Sequence, residues 1–176
     1  PEDALALLDQ IREETPFAPI VISYYNNERN ALIAQVLQRQ WQERLGLEVS
    51  VEAIEPKVFF QRISKKEFQI AIGSWTADFN DPVNFLEVFK FENQGTNHTG
   101  WENAEYIALL NRSGLCKDLQ ERRELLRKAE KILMEEMPII PIYQYALNYV
   151  KISALTGVSL TSQGHLDFRT ASFQER

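Results

Sequence analysis

The sequence predicts an α/β fold: a mainly parallel sheet with helices on both faces. Three runs rich in β-branched and aromatic residues, at 20–25, 47–54 and 68–75, are typical of strands. The stretches between them carry apolar residues at helical spacing. They are also long enough to join parallel strands by a crossover. The first 75 residues therefore predict the order β-α-β-α-β.

The helices of this first part have clear ends in the sequence. A helix predicted over 3–13 is followed by Pro16 and Pro19, which end helices. A longer helix is predicted over 28–45, and Gly46 stands where a left-handed C-cap belongs. Its predicted apolar stripe consists of Leu32, Ile33, Val36, Leu37, Trp41 and Leu45. The pattern indicates one face packed on the sheet.

Two further helix predictions flank the third strand. A helix over 58–66 is expected to bury Phe59, Phe60 and Ile63. After the strand, Asp81 is predicted to be an N-cap and Pro82 the first residue of the next helix. The buried side of that helix is expected to carry Phe85, Leu86 and Phe89.

Helices then dominate as far as Pro138. Asn103 should cap one helix, which Gly114 should end, and Asp118 with Glu121 forms a capping box for the next. The apolar run 139–150 predicts one more strand, entered through its prolines. We expect residues 1–155 to form an α/β lobe and the polar residues 156–176 to pack on its outside or on a part of the protein absent from this chain.

Composition excludes some function classes. The net charge of −6 and the lack of a basic stripe argue against nucleic acid and against an anionic membrane surface. The single cysteine, Cys116, excludes an internal disulfide framework. No apolar run approaches the roughly 20 residues that span a bilayer. These properties of the composition do not distinguish one class of small-molecule ligand from another.

The loop around Trp75 and Asp78 is the best candidate for a site. It follows a predicted strand, and ligands of open α/β sheets bind at the carboxyl ends of strands. Asp78 could simply make an Asx-turn or stay solvated. However, a Trp ring three residues away could place a flat apolar wall beside a negative charge. That combination suits a cationic head group with a variable apolar part, such as the amino terminus of a peptide.

Catalysis lacks support in the sequence. Neither histidine, His98 or His165, lies near a G-x-S-x-G elbow, and no such elbow is present. A hydrolase using Cys116, or Asp78 paired with Asp81, remains as a remote alternative, although Asp81 already has a role as an N-cap. The sequence shows no metal-ligand cluster and no glycine-rich phosphate loop, so we expect neither an enzyme nor a cofactor.

Several motifs resemble one family along nearly the whole chain. The run from Gly73 through Trp75, Ala77, Asp78 and Pro82 to Phe85-Leu86 is similar to the Gly-Trp-x-Ala-Asp-Tyr-x-x-Pro-x-x-Phe-Leu signature of oligopeptide- and dipeptide-binding receptors of ABC importers. The segments 97–106 and 129–143 resemble the segments that follow in that family, the second through its Ala-Glu start and its Pro-Ile-Ile-Pro-Ile-Tyr end. The chain is therefore identified as the C-terminal lobe of such a solute-binding protein of family 5, and the resemblance implies a periplasmic-binding-protein-like lobe.

The resemblance implies a site and partners. It implies that Asp78 takes the α-ammonium of a short peptide, that Trp75 and Thr76 supply a pocket wall and a backbone contact, and that Tyr145 lines the pocket. It also implies an N-terminal lobe of the same protein, ABC permease subunits as partners, and a periplasmic location or a membrane-anchored extracytoplasmic lipoprotein. Within the same fold, a nickel complex, haem or a sugar as the solute, or a role as a ligand sensor, stay open as alternatives.

Overall fold

The computed structural model describes residues 2–14, 18–161 and 163–174. The chain forms two compact units, Pro1–Ser74 and Trp75–Arg176, which are taken here one at a time. Pro16, expected to end the first helix, lies outside the described residues. No helix in the described ranges combines the length and the apolar character needed to cross a bilayer.

The first unit contains the predicted parallel sheet. Its elements are α1 (Glu2–Glu14), β1 (Ile20–Tyr25), α2 (Glu28–Leu45), β2 (Val49–Ile54), α3 (Pro56–Ser64) and β3 (Ile70–Ile72). The strand order is β2-β1-β3, and both pairings are parallel. Ile20 lies opposite Val49 and Ile22 opposite Ile70. The β-α-β-α-β order is confirmed, while the second and third strands are shorter than predicted.

Helices cover both faces of this sheet, because successive strand residues point to opposite sides. On one face α2 packs through Ala34, and the strand residues it meets are Ile22, Tyr24, Val49 and Ile72. On the other face α3 packs through Phe59 and Ile63, which form a cluster with Ile54. The same face carries Glu52, whose carboxylate accepts a 2.9 Å bond from Arg62 of α3. The predicted layering is confirmed.

The buried face of α2 is narrower than predicted. Asn30 and Ala34 are its fully buried residues, with Ile33, Leu37 and Trp41 packed beside them. Leu32 and Val36, which the predicted stripe included, are 58% and 53% exposed. Each lies two residues from Ala34, about 200° around a helix, and therefore faces away from the sheet. The C-cap prediction is confirmed: Gly46 adopts φ 61° and ψ 30°.

In α3 the prediction of a buried Phe60 is wrong. Phe60 is 53% exposed, whereas its neighbour Phe59 is 1% exposed. Adjacent helix residues are about 100° apart, so a helix that lies on one sheet face cannot bury both rings. The helix begins two residues earlier than predicted, at Pro56, and a proline is favoured in the first turn of a helix.

The second unit is mainly helical. It contains α4 (Val83–Leu86), a 3-10 turn (Glu87–Phe89), α5 (Ala104–Leu115) and α6 (Leu119–Glu136). Its core lies between α5 and α6 and consists of Leu86, Tyr106, Leu109, Leu110, Leu125, Leu126, Ala129 and Leu133. Phe85 was expected in this core but is 44% exposed. It precedes buried Leu86 by one residue in a helix of a single turn, which presents one narrow side to the core.

The capping residues of α5 and α6 are largely as predicted. The Asn103 side chain accepts from the Tyr106 N–H at 3.0 Å, and the Asp118 side chain accepts from the Glu121 N–H at 2.7 Å. Gly114 does not end α5 but lies inside it, and Cys116 is the C-cap. A helical glycine is tolerated when the residues around it still bond, at a cost of roughly 1 kcal/mol.

Residues 140–152, which include most of the predicted strand 139–150, form neither helix nor strand, and their side chains are exposed. The expectation of a strand there is wrong, because the described residues provide no neighbouring strand to pair with it. The polar stretch after it is more regular than expected. Leu155–Thr156 pairs with Ser172–Phe173, and Ser159–Leu160 with Leu166–Asp167, as two short antiparallel ladders.

Candidate functional site

The candidate site lies in the second unit, on the loop that leads into α4. One buried side chain, Asn84, organises it. The Asn84 Oδ1 accepts from the Trp75 Nε1–H at 2.9 Å and from the Asp78 backbone N–H at 3.1 Å. The Asn84 Nδ2 lies 3.5 Å from the Asp78 Oδ2. Asn84 is 8% exposed, so these bonds form largely out of water.

The two predicted residues that Asn84 joins are both accessible. Trp75 is 40% exposed, and Asp78 and Thr76 are exposed on the same loop. The Gln163 side-chain amide also donates to the Asp78 carbonyl oxygen. A fixed loop therefore presents an indole and a carboxylate to solvent. Such a pair can hold a cation next to an apolar group.

A second carboxylate, that of Asp81, joins the end of the loop to α4 and α6. The Asp81 Oδ1 accepts from the Val83 N–H and from Arg122 Nη2 of α6, both at 2.9 Å. The Arg122 hydrogen bond is the main reason that the pKa of Asp81 lies below its usual value. The assigned helix starts at Val83, one residue later than predicted, with Pro82 just before it. The expected capping role of Asp81 is thus present, and its carboxylate is engaged elsewhere than at Asp78.

Tyr145, the remaining predicted site residue, is 57% exposed on segment 140–152. Among the described residues, the group bonded to the Asn84 side chain comprises Trp75 and Asp78 and includes neither Tyr145 nor Thr76. A shallow depression lies beside Cys116 and another beside Trp41, and neither is lined by Trp75, Thr76, Asp78 or Tyr145.

The described residues give little support for a catalytic thiol or a metal site. Partial burial, followed by a hydrogen bond to Glu121, raises the pKa of the Cys116 thiol and so disfavours the reactive thiolate. Its Sγ donates to the Asp118 carbonyl at 3.3 Å. Within the described ranges, no group of three or more His, Cys, Asp or Glu side chains is placed to hold a metal ion.

Sequence reasoning missed Asn84. The signal that could have found it is an asparagine just inside a helix start, where Asn is a poor helix former and its amide can reach back to a preceding loop. From the sequence alone, Asn84 was assigned no role.

Comparison with known proteins identifies a family. Residues 1–97, more than half of the chain, match the middle part of the family described as bacterial extracellular solute-binding proteins, family 5. The oligopeptide-binding protein OppA of Bacillus subtilis is 42% identical over 155 residues, which is 88% of this chain. The probable deoxycholate-binding periplasmic protein YgiS of Escherichia coli is 32% identical over 125 residues, 70% of this chain and 23% of that protein.

The fold is also similar to solved structures. The pheromone receptor PrgZ, whose structure was determined together with its mode of peptide binding, matches with a TM-score of 0.78 and 29% identity over 99% of this chain. The present chain spans only 28% of the length of B. subtilis OppA and 34% of the PrgZ chain. The similarity therefore concerns about a third or less of each of these proteins.

Proposed function

Because this chain belongs to family 5 of the bacterial extracellular solute-binding proteins, we propose that it is one lobe of a receptor that binds short peptides for an ABC importer. The observation that carries the proposal is that buried Asn84 bonds both the exposed Trp75 indole and the backbone N–H of Asp78, and lies 3.5 Å from the exposed Asp78 carboxylate. The similarity to the oligopeptide-binding protein OppA and to the peptide-binding receptor PrgZ supports the same class of ligand.

Each site residue has a proposed role. Asp78 takes the α-ammonium of the peptide in a charge-assisted hydrogen bond, which contributes about 1.5–3 kcal/mol. The Trp75 ring forms an apolar wall beside it, the Thr76 backbone contacts the peptide main chain, and Tyr145 lines the pocket. Selectivity for a charged amine combined with tolerance for side chains follows from one carboxylate set among apolar surfaces.

We further propose that the chain works as part of a longer polypeptide with a second, N-terminal lobe, and that ABC permease subunits are its partners. A periplasmic location, or anchoring outside the membrane as a lipoprotein, goes with that role. The exposed apolar segment 140–152 supports a second lobe, because eight large apolar side chains there lack cover: Ile140, Ile142, Tyr143, Tyr145, Leu147, Tyr149, Val150 and Ile152. The region that we propose to face the second lobe therefore begins at residue 140, whereas the sequence analysis placed its beginning at residue 156.

A different solute is the second candidate. It is favoured by the similarity to YgiS, whose name indicates deoxycholate as the ligand. An anionic amphiphile of that kind would be repelled by the Asp78 carboxylate, which is why an amine-bearing ligand fits this chain better. Native mass spectrometry of the full-length protein would show the mass of a co-purified ligand. A nickel complex, haem, a sugar or a bile acid would displace the peptide proposal.

Asp78→Asn in the full-length protein tests the peptide proposal. We expect Asp78→Asn to weaken peptides with a free amino terminus by about ten- to a hundredfold, which corresponds to losing one charge-assisted hydrogen bond. N-acetylated versions of the same peptides should bind the variant and the original protein equally. Calorimetry measures both series. Glu130→Gln, an exposed carboxylate on α6, is the matched control and should change neither. Equal weakening of both peptide series would remove Asp78 from the ammonium role.

A further inference from the structure

We infer that Asn84 is a positioning residue of the binding site, which fixes the Trp75 indole and the Asp78 carboxylate in one arrangement without itself contacting the ligand. This inference rests on the proposed function, since it assigns to Asn84 the geometry on which ammonium recognition depends. Its basis is the set of contacts, the burial and the local chain geometry of α4.

The orientation of the Asn84 amide is fixed by its neighbours. Two N–H donors, the Trp75 indole at 2.9 Å and the Asp78 backbone at 3.1 Å, converge on the same side-chain atom. Only the amide oxygen can accept both, because the NH2 group has donors but no acceptor. A flipped amide would place donors against donors in a buried position, so it is disfavoured.

This fixed orientation determines what Asp78 presents. With its oxygen turned toward Trp75, the amide nitrogen is left facing the Asp78 Oδ2 at 3.5 Å. That contact is long, but it sets the positive end of the amide dipole next to one carboxylate oxygen. We expect the other oxygen, Oδ1, to be the one that faces a ligand ammonium. One side chain thereby controls the rotation of the carboxylate and the tilt of the indole.

The helix itself does not need this side chain. The first turn of α4 is bonded by Asp81, whose carboxylate accepts from the Val83 N–H and whose carbonyl accepts from the Asn84 N–H at 3.1 Å. Arg122 holds the same Asp81 carboxylate from α6. The Asn84 side chain is therefore available to the loop, and it is 8% exposed, which leaves little surface for a ligand to contact.

Two substitutions in the full-length protein separate positioning from packing. Asn84→Leu keeps the approximate volume but removes all three polar contacts. The measured ratio is the affinity for peptides with a free amino terminus divided by the affinity for the same peptides after N-acetylation. We expect Asn84→Leu to lower this ratio about tenfold, while its affinity for N-acetylated peptides stays within about twofold of that of the original protein. Asn84→Asp keeps both acceptor contacts but adds a negative charge beside Asp78. At pH 8 its ratio should lie between those of Asn84→Leu and the original protein, because the indole and the Asp78 N–H stay bonded while the contact to the Asp78 Oδ2 is lost.

The pH dependence of Asn84→Asp is the readout that a merely structural role would not move. Two carboxylates this close favour holding one proton between them, so the variant should lose discrimination for the free amine at a higher pH than the original protein. The pH midpoint is the pH at which half of the discrimination between free and N-acetylated peptides is lost. Asn93→Asp, on the exposed turn 92–95, is the matched control and should not change this pH midpoint. If Asn84→Leu does not fold, the pH midpoint of Asn84→Asp alone decides the question.

The outcomes also separate this inference from the proposed function. If Asp78→Asn abolishes discrimination while Asn84→Leu keeps the original ratio, or Asn84→Asp keeps the original pH midpoint, the positioning role is overturned and the function stands. If Asp78→Asn leaves the ratio intact, the proposed function fails first. A lowered affinity ratio in Asn84→Leu together with a raised pH midpoint in Asn84→Asp supports the positioning role.

Discussion

Asp81 connects three parts of the second unit through one carboxylate oxygen. That oxygen accepts from the Val83 N–H and from Arg122, while the Asp81 carbonyl accepts from the Asn84 N–H. The side chains of Arg122 and Asp81 are only 23% and 29% exposed, so water screens this ion pair less than a surface pair. The start of α4, and with it the position of Asn84, is thereby tied to α6.

The stability of this connection should depend on pH. Arg122 lowers the pKa of Asp81, so its contribution is complete above the ordinary Asp pKa of about 3.9 and is lost as the pH falls through the lower folded value. Asp81→Asn keeps a good capping side chain but removes the charge. We expect it to reduce the free energy of unfolding by about 1 kcal/mol at pH 7 and to have little effect near pH 2.

Urea unfolding of the full-length protein at both pH values measures this difference, with Glu130→Gln as a control for a carboxylate that is simply exposed. A loss of equal size at pH 7 and pH 2 would show that the substitution acts through packing or capping rather than through the ion pair.

At the scale of residues, the sequence predicted the exposed partners of the site but not the residue that holds them. Trp75 and Asp78 were found because an aromatic and an acidic residue after a strand stand out in one dimension. Asn84 lies six and nine residues further on, and its bonds run back across a loop. Apolar periodicity and capping rules contain no information on such contacts, since a loop has no fixed spacing between neighbours in space.

At the scale of elements, the end of α4 depends on a side chain from α5. The Tyr106 hydroxyl donates to the Leu86 carbonyl at 2.6 Å, and Tyr106 is fully buried. The last carbonyls of a helix have no partner within the helix, so this bond satisfies one of them. Burial, with a smaller effect of Glu87, raises the pKa of the Tyr106 phenol, which keeps it a neutral donor.

Tyr106→Phe should therefore destabilise the protein by about 1–2 kcal/mol, because it leaves the Leu86 carbonyl without its buried donor while keeping the ring. The midpoint of denaturant unfolding measures this, with an unchanged slope as the sign that only stability has altered. An unaltered midpoint for Tyr106→Phe would mean that water replaces the lost hydroxyl at no cost.

The elements were predicted best where local chemistry decides them. Asn103, Asp118 and Gly46 act on backbone groups within a few residues, and all three cap as predicted. The strand prediction for 139–150 was wrong because a strand requires a neighbour to bond with, and that neighbour is not specified by the segment itself. Gly114 was misplaced because a glycine inside a helix and a glycine after one have the same composition signal.

At the scale of the whole molecule, segment 140–152 is the part of the chain that is hardest to explain in isolation. Its apolar side chains are exposed, with Val150 fully so. The chain spans 28% of the length of B. subtilis OppA, so a full-length protein of similar length would contain ample further chain to cover this segment. An exposed apolar segment that is neither helix nor strand can add to a sheet elsewhere in such a longer protein.

Hydrogen exchange in the full-length protein tests this cover. We expect backbone amides of 142–150 to exchange slowly there, because sheet bonds protect them, whereas amides of the exposed turn 92–95 in the same sample should exchange fast. Equally fast exchange in both regions would mean that the segment stays uncovered in the longer protein, and the proposed second lobe would lose this support.

The same segment has a consequence for any preparation of this chain alone. An exposed run of β-branched and aromatic residues outside any strand can pair with identical copies, which is how aggregates of stacked strands begin. Pro138 and Pro141 interrupt the run at one end and Lys151 places a charge at the other, the pattern by which natural sequences limit such growth. Between them, residues 142–150 contain no charged residue. We therefore expect these nine residues to be the region through which copies of this chain would associate when it is prepared alone.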